Sequence, residues 1–121
     1  MSTELTSEQI AEAFSRHDFE ASYPYLADDI RWNIVGERLV EGKENVISVC
    51  RESAEYLTGV TTDFRRFRKV ITDDCVVVDS VAEYTEKEGE RSRVASCDLY
   101  GFTNGNVSEI TSYTVDLGAQ P

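Results

Sequence analysis

The sequence predicts an α+β domain in which helices come first and a long antiparallel sheet follows. Apolar residues recur at helical spacing before Gly59, whereas four runs rich in β-branched and aromatic residues come after it. Turn residues separate those runs, and the Asn-Gly pair at residues 104–105 is typical of a tight hairpin.

Two helices are expected near the N-terminus. The first begins with a capping box, because Thr6 and Gln9 have the T-x-x-Q spacing, and it continues to about Arg16. The second is short and covers residues 18–26, where Pro24 interrupts or redirects it.

A strand and a third helix occupy the middle of the chain. Apolar Ile30, Trp32 and Ile34 alternate with polar residues over 30–35, which indicates a strand with one buried face. A turn region bounded by glycines follows. Residues 43–57 then form an amphipathic helix, and a glycine soon after its last residue suits its end.

The second half of the chain predicts a four-stranded meander. Its strands cover residues 61–71, 75–85, 91–103 and 107–115. The 91–103 strand lacks a plainly polar face, so both of its faces should be covered. Helices can cover one face, and the other then faces a cavity or a second subunit.

Composition limits the classes of function. The chain has 121 residues and a formal net charge of −11, which argues against nucleic acid as a partner because phosphate binding depends on Lys and Arg. It has no apolar run of about 20 residues, so no membrane span is expected. The N-terminus is polar and acidic, unlike a signal peptide, and we place the protein in the cytoplasm.

The residues that bind metals are sparse. The three cysteines match no metal or redox spacing, and the single histidine, His17, has no ligand-spaced partner. We therefore expect no metal and no cofactor. A basic cluster at residues 65–69 is either a solvated strand face or a site for an anionic partner.

The order of these elements resembles the nuclear transport factor two-like superfamily, in its SnoaL-like and ketosteroid-isomerase-like branch. The segments that carry the resemblance are the first helix, residues 26–32 (LADDIRW), the glycine-bounded turn, and residues 97–107 (CDLYGFTNGNV). The resemblance implies a single SnoaL-like domain over residues 1–121. It also implies a cone-shaped, curved antiparallel sheet, a cystatin-like α+β barrel, wrapped around helices and a mostly apolar pocket.

The resemblance also implies which side chains line that pocket. They are the even-numbered residues of the later strands, with Trp32 and Ile34 from the first strand and Ile10 from the first helix. A few polar groups on an apolar wall suit a small, largely apolar ligand. The candidate ligand-binding residues are Trp32, Ile34, Tyr84, Ser96, Tyr100, Ile110 and Ser112.

The catalytic groups of ketosteroid isomerases are mostly replaced here. Alignment with that family places its aspartate base at Ile34 and its tyrosine at Ile10, and only the second aspartate is matched, by Asp98. SnoaL-like cyclases use a carboxylic acid and often a histidine. In this sequence their last-strand position holds Ser112, and His17 lies at a helix end.

The limonene-epoxide-hydrolase branch fits no better. The positions of its tyrosine, asparagine and Asp–Arg–Asp set read Trp32, Ile34, Glu83, Val81 and Ser112. Glu83 and Asp79 are odd-numbered residues of a strand whose even-numbered residues face the pocket. Both are therefore expected on the outer face, in contact with solvent.

Asp98 is the candidate catalytic residue. Its strand neighbours are uncharged, so burial should raise its pKa and let a neutral acid donate a hydrogen bond to a ligand carbonyl. The alternative is a structural aspartate bonded to the backbone or to a tyrosine, with Tyr84 and Tyr100 as the expected partners.

Three functions remain open from the sequence. The first is a cofactor-independent isomerase, cyclase or hydrolase acting on a polyketide-, steroid- or terpenoid-like molecule. The second is a binding module without turnover, and the third is an assembly domain whose interior is filled by side chains.

We also expect a homodimer formed through the outer face of the sheet, because that face carries apolar residues that one subunit cannot easily cover. They are Ala95, Cys97, Leu99, Gly101, Tyr113 and Val115.

Overall fold

Three α-helices and a six-stranded sheet make up the fold in the computed structural model, which describes residues 4–120. The helices are α1 (Ser7–Ser15), α2 (Phe19–Ser22) and α3 (Lys43–Leu57), and a 3₁₀ turn, Tyr23–Tyr25, follows α2. The strands are β1 (Leu26–Ile34), β2 (Arg38–Glu41), β3 (Val60–Ile71), β4 (Cys75–Glu86), β5 (Arg91–Thr103) and β6 (Asn106–Gln120). The predicted α+β class is confirmed.

The capping box of α1 is also confirmed. The Thr6 hydroxyl accepts a hydrogen bond from the Gln9 backbone N–H at 3.2 Å, and the Gln9 side chain accepts one from Thr6 at 2.9 Å. These bonds satisfy two backbone donors that would otherwise lack partners in the first turn. The helix then packs its apolar side, including Ile10 and Phe14, against the sheet.

The strand order is β2-β1-β6-β5-β4-β3, and the sheet is curved but open. The meander from β3 to β6 is antiparallel throughout, whereas β1 pairs with β6 in parallel. The curved antiparallel sheet that the sequence predicts is confirmed in the meander, and two details add to it: the sheet is not closed, and the β1–β6 pair is parallel. β2, α3 and the strands β3 to β5 lie between β1 and β6 in the chain. The edge strands β2 and β3 do not pair with each other, so the sheet stays open.

Several predicted boundaries were also wrong. The helix expected at 18–26 is a four-residue helix followed by a 3₁₀ turn, because Pro24 cannot donate a helical hydrogen bond. β1 begins at Leu26 and β6 extends to Gln120. The predicted turn region contains β2, whose single buried residue, Val40, gives no alternating pattern.

The predicted inward parity holds on β4. Val76, Val78, Ser80 and Ala82 are buried against the helices, whereas their odd-numbered neighbours up to Val81 are half-buried on the outer face. On β3 a bulge at Arg65 shifts the register, so inward residues change from even to odd along that strand.

The basic cluster is occupied by ion pairs within the chain. Arg66 and Arg68 both bind Asp79 on the outer face, at 2.8 and 2.7 Å. Lys69 points inward and binds Glu8 and Glu12 of α1. Carboxylates of the chain therefore already neutralise this cluster.

Glu83 does not have the solvated environment that its parity suggested. It lies on the outer face but is only 5% exposed, because Arg65 and Arg93 cover it and donate to its two carboxylate oxygens at 3.0 Å each. No helix of the described part of the chain is long and apolar enough to cross a bilayer.

Candidate functional site

A cavity of about 560 Å³ lies between the ends of α1 and α3 and the inner face of the sheet. One part of its wall is aromatic, formed by Phe14, Phe19, Trp32, Tyr56, Phe64 and Tyr84. Hydroxyl groups line the sheet side, from Ser80, Ser92, Ser96, Ser112 and Thr114 on the strands, with Ser15 opposite on α1. The carboxyl groups of Glu52 and Asp98 also lie on the wall. Apolar surface combined with placed polar groups is typical of a small-ligand site.

Five of the eight candidate site residues lie on the cavity wall. They are Trp32, Tyr84, Ser96, Asp98 and Ser112. The other three lie in the core: Tyr100 and Ile110 are fully buried, and Ile34 packs against the core cluster. These three side chains do point to the inner face of the sheet, as predicted. At that end of the sheet, however, the inner face is covered by α1 and α3 and forms core instead of cavity wall.

Asp98 is held by hydroxyl groups. Ser15 of α1 donates to Asp98 Oδ2 at 3.0 Å, and the Ser15 oxygen also lies 2.6 Å from the hydroxyl of Tyr100. Either hydroxyl can donate in the shorter contact, and Tyr100 also forms a hydrogen bond with Asp98. The hydroxyls of Ser15 and Tyr100 therefore both reach the Asp98 carboxyl group.

A second donor chain reaches Asp98 from the other side. Trp32 Nε1 donates to Ser112 Oγ at 2.9 Å, and an indole nitrogen can only donate. The Ser112 hydrogen is therefore free to point at Asp98, its cross-strand neighbour, with which it forms a hydrogen bond. Both sets of hydrogen bonds end on the Asp98 carboxyl group.

Burial nevertheless raises the pKa of Asp98, because loss of solvent disfavours the charged carboxylate more than the hydrogen bonds from Ser112, Ser15 and Tyr100 favour it. Burial also raises the pKa of Tyr84, with a smaller contribution from the negative charge of Asp98. The direction for Asp98 agrees with the sequence-based expectation.

His17 lies on the cavity wall, which its position at a helix end did not predict. The residue has a left-handed backbone, with φ 71°, just after α1. Its Nε2 lies 3.0 Å from the Tyr84 hydroxyl, and its ring packs near Phe19 and Phe64. Burial lowers the pKa of the imidazole, so the neutral form is favoured.

The aromatic wall is ordered by edge-to-face contacts. The Phe14 ring meets Phe19 and Trp32 at centroid distances of 5.1 Å each and Tyr100 at 5.8 Å. Such pairs stabilise one arrangement of rings and so fix the shape of the cavity. The described residues contain no cluster of three or more His, Cys, Asp or Glu side chains that could hold a metal ion.

Comparison with known proteins connects this architecture to one family. The profile of the SnoaL-like domain matches residues 7–110. No curated protein matches the sequence. Among solved structures, an NTF2-like protein of unknown function from Cytophaga hutchinsonii is 32% identical with a TM-score of 0.80, covering 94% of this chain and 100% of that one.

More distant structures share the fold alone. A candidate polyketide cyclase from Xanthomonas campestris is 16% identical, with a TM-score of 0.70 and coverage of 88% of this chain and 84% of that one. An LEH-like epoxide hydrolase from M. tuberculosis is also 16% identical, with a TM-score of 0.63 and coverage of 89% and 78%.

Proposed function

This chain belongs to the SnoaL-like domain family, and on that premise we propose that it binds a small, largely apolar molecule in the cavity, with Asp98 as the polar group that fixes the ligand. The observation that carries the proposal is the cavity of about 560 Å³, walled by aromatic rings and reached by one buried carboxyl group. The space is not filled by side chains, which an assembly domain would require.

A second candidate function is cofactor-independent proton transfer on the bound molecule. His17 and Asp98 both line the cavity, and burial moves their pKa values toward each other, down for His17 and up for Asp98. Titratable groups that line a cavity and have shifted pKa values are candidates for acid–base chemistry. Against turnover, Ile34 and Ile10 replace the base and tyrosine of ketosteroid isomerases.

Native mass spectrometry of the protein purified from its own host tests the binding function. We expect a retained small molecule in the wild type and its loss after heating and refolding. Asp98→Ala should weaken binding of a neutral ligand by about 1–3 kcal/mol, because one ligand polar group is left unpaired. Asp98→Asn should largely preserve binding of a neutral ligand, since the amide keeps a donor.

The candidate partner of the outer sheet face is a second copy of the chain. Tyr113, Val115 and Leu117 are each about half exposed on β6, next to half-buried Ala95 and Cys97 of β5. The arginines on this face are paired with Asp79 and Glu83 of the same sheet. A self-complementary apolar patch with internally neutralised charges suits an interface between two identical subunits.

A further inference from the structure

The hydrogen-bond directions around Asp98 indicate how this group meets its ligand. Trp32 can only donate to Ser112, which leaves the Ser112 hydrogen for Asp98. Ser15 donates to Asp98 Oδ2, and the Tyr100 hydroxyl lies 2.6 Å from Ser15 and also forms a hydrogen bond with Asp98. The hydroxyl groups of three residues therefore converge on one carboxyl group, an arrangement that suits the ionised, acceptor-only form.

An ionised carboxylate at this depth requires a cation. Among the residues that the structure describes on the cavity wall, none is a lysine or an arginine, and the neutral form of His17 is favoured. The hydroxyl groups supply hydrogen bonds but no charge, and a buried carboxylate without a positive partner is costly. The missing positive charge would have to come with the ligand.

The aromatic wall suits the same kind of ligand. Trp32 and Phe14 lie at the Asp98 end of the cavity, with Phe64 and Tyr84 farther round the wall. Ring faces attract ammonium groups, and the attraction grows where water is excluded. An ammonium group near Asp98 would meet both a carboxylate and π-electron surface.

We propose that the ligand is a largely apolar amine, whose protonated nitrogen binds Asp98 while its hydrocarbon part lies against the aromatic wall. This rests on the proposed binding function and adds the charge of the ligand. Phosphate- or carboxylate-bearing ligands are disfavoured by the same reasoning, because the wall offers them no cation.

Three probes of matched shape test the charge: naphthylmethylamine, naphthylmethanol and acetylnaphthalene, each titrated by calorimetry. The wild type should bind the amine about tenfold more tightly than the alcohol, equivalent to about 1.4 kcal/mol. Asp98→Asn should remove this preference while still binding the alcohol, which also shows that the variant is folded. Asp79→Asn removes a carboxylate on the outer face and should leave the preference unchanged.

The results distinguish a failure of the amine proposal from a failure of the binding function on which it rests. Equal binding of amine and alcohol overturns the amine class and leaves the binding function standing. Tighter binding of the ketone also overturns it, in favour of a neutral Asp98 that donates to a carbonyl. Binding of no probe at millimolar concentration overturns both. As an independent readout, the NMR signal of the Asp98 carboxyl carbon should move to the ionised position when the amine is added.

Discussion

His17 Nε2 lies 3.0 Å from the Tyr84 hydroxyl, although 67 residues separate the two in the sequence. The contact joins the end of α1 to the inner face of β4 at the wall of the cavity. Because His17 also lies on that wall, its protonation couples the charge of the cavity to the stability of the fold.

We expect His17→Asn to reduce the loss of stability between about pH 7 and about pH 5. Burial lowers the pKa of His17, so in this range the unfolded chain binds a proton that the folded protein resists. This contribution is fully present above the unfolded pKa and is lost as pH falls through the lower folded pKa. Asn tolerates the left-handed backbone at this position. Urea unfolding at both pH values measures the difference, and equal losses in the two proteins would contradict it.

The effect of Asp98 on stability should depend on pH in the opposite direction to that of His17. Burial raises its folded pKa, so its contribution to stability is present below the unfolded pKa and is lost as pH rises through the folded value. The free energy of unfolding of the wild type, relative to Asp98→Asn, should therefore fall over that range. An NMR titration of the carboxyl carbon measures the pKa directly. A value at or below about 3.9, the ordinary aspartate pKa, would exclude the raised pKa.

The Trp32–Ser112 bond should appear as an energetic coupling. Ser112→Ala leaves the indole N–H without its partner and should cost about 1–3 kcal/mol of stability. Adding Trp32→Phe removes that unpaired donor, so the double variant should be more stable than the sum of the single effects by at least about 0.5 kcal/mol. Thermal unfolding of the four proteins completes the cycle. Additive effects would show that the bond carries no specific energy.

Glu83→Gln should lower the melting temperature more than Asp79→Asn does. Glu83 is covered by its two arginines, whereas Asp79 is more exposed. Bonds from Arg65 and then Arg93 lower the pKa of Glu83, so its stabilising effect is present above the ordinary value of 4.5 and is lost as pH falls through the folded pKa. The gap between the two variants should therefore close in acid, as calorimetric scans can show. A gap independent of pH would point to packing instead of charge.

Val115→Glu should convert the expected dimer into a monomer. Val115 is 58% exposed on the outer face, and a carboxylate there would be buried against its own copy. Ile71→Glu changes a residue of similar exposure at the end of edge strand β3 and serves as the control. Light scattering at micromolar concentration gives the mass of each protein. The wild-type dimer should also weaken at low salt, because the net charge of −11 is then less screened. A monomeric wild type would contradict the interface.

The fold was largely predictable because local signals agreed with the final structure. The Thr6–Gln9 capping box, the Asn104-Gly105 hairpin and the strand alternation around Val78 each report on neighbours in sequence. β2 could not be predicted because Val40 is its only buried residue. The parallel pairing of β1 with β6 could not be predicted either, since register between distant strands leaves no local pattern.

Only those residues of the site that lie on strands could be predicted from the sequence. Strand parity placed Asp98 and Ser112 on the inner face, where they line the cavity. The same parity cannot tell the cavity from the core, and Tyr100 lies beneath α1 for that reason. His17 reaches the cavity through a left-handed residue after a helix, and nothing in its spacing to Tyr84 indicated that direction.

The parallel pairing of β1 with β6 has a consequence for how the chain folds. Trp32 and Ser112 are 80 residues apart, and Ser15 and Asp98 are 83 residues apart, so the contacts that build the cavity close very long loops. Closing such loops costs conformational entropy before the stabilising contacts have formed. Proteins rich in contacts of this kind therefore fold slowly. We expect the local hairpins of the meander to form early and β1 to pair with β6 afterwards. We therefore expect the cavity to be among the last parts of the molecule to form, so that a partly folded chain has a sheet but no binding site.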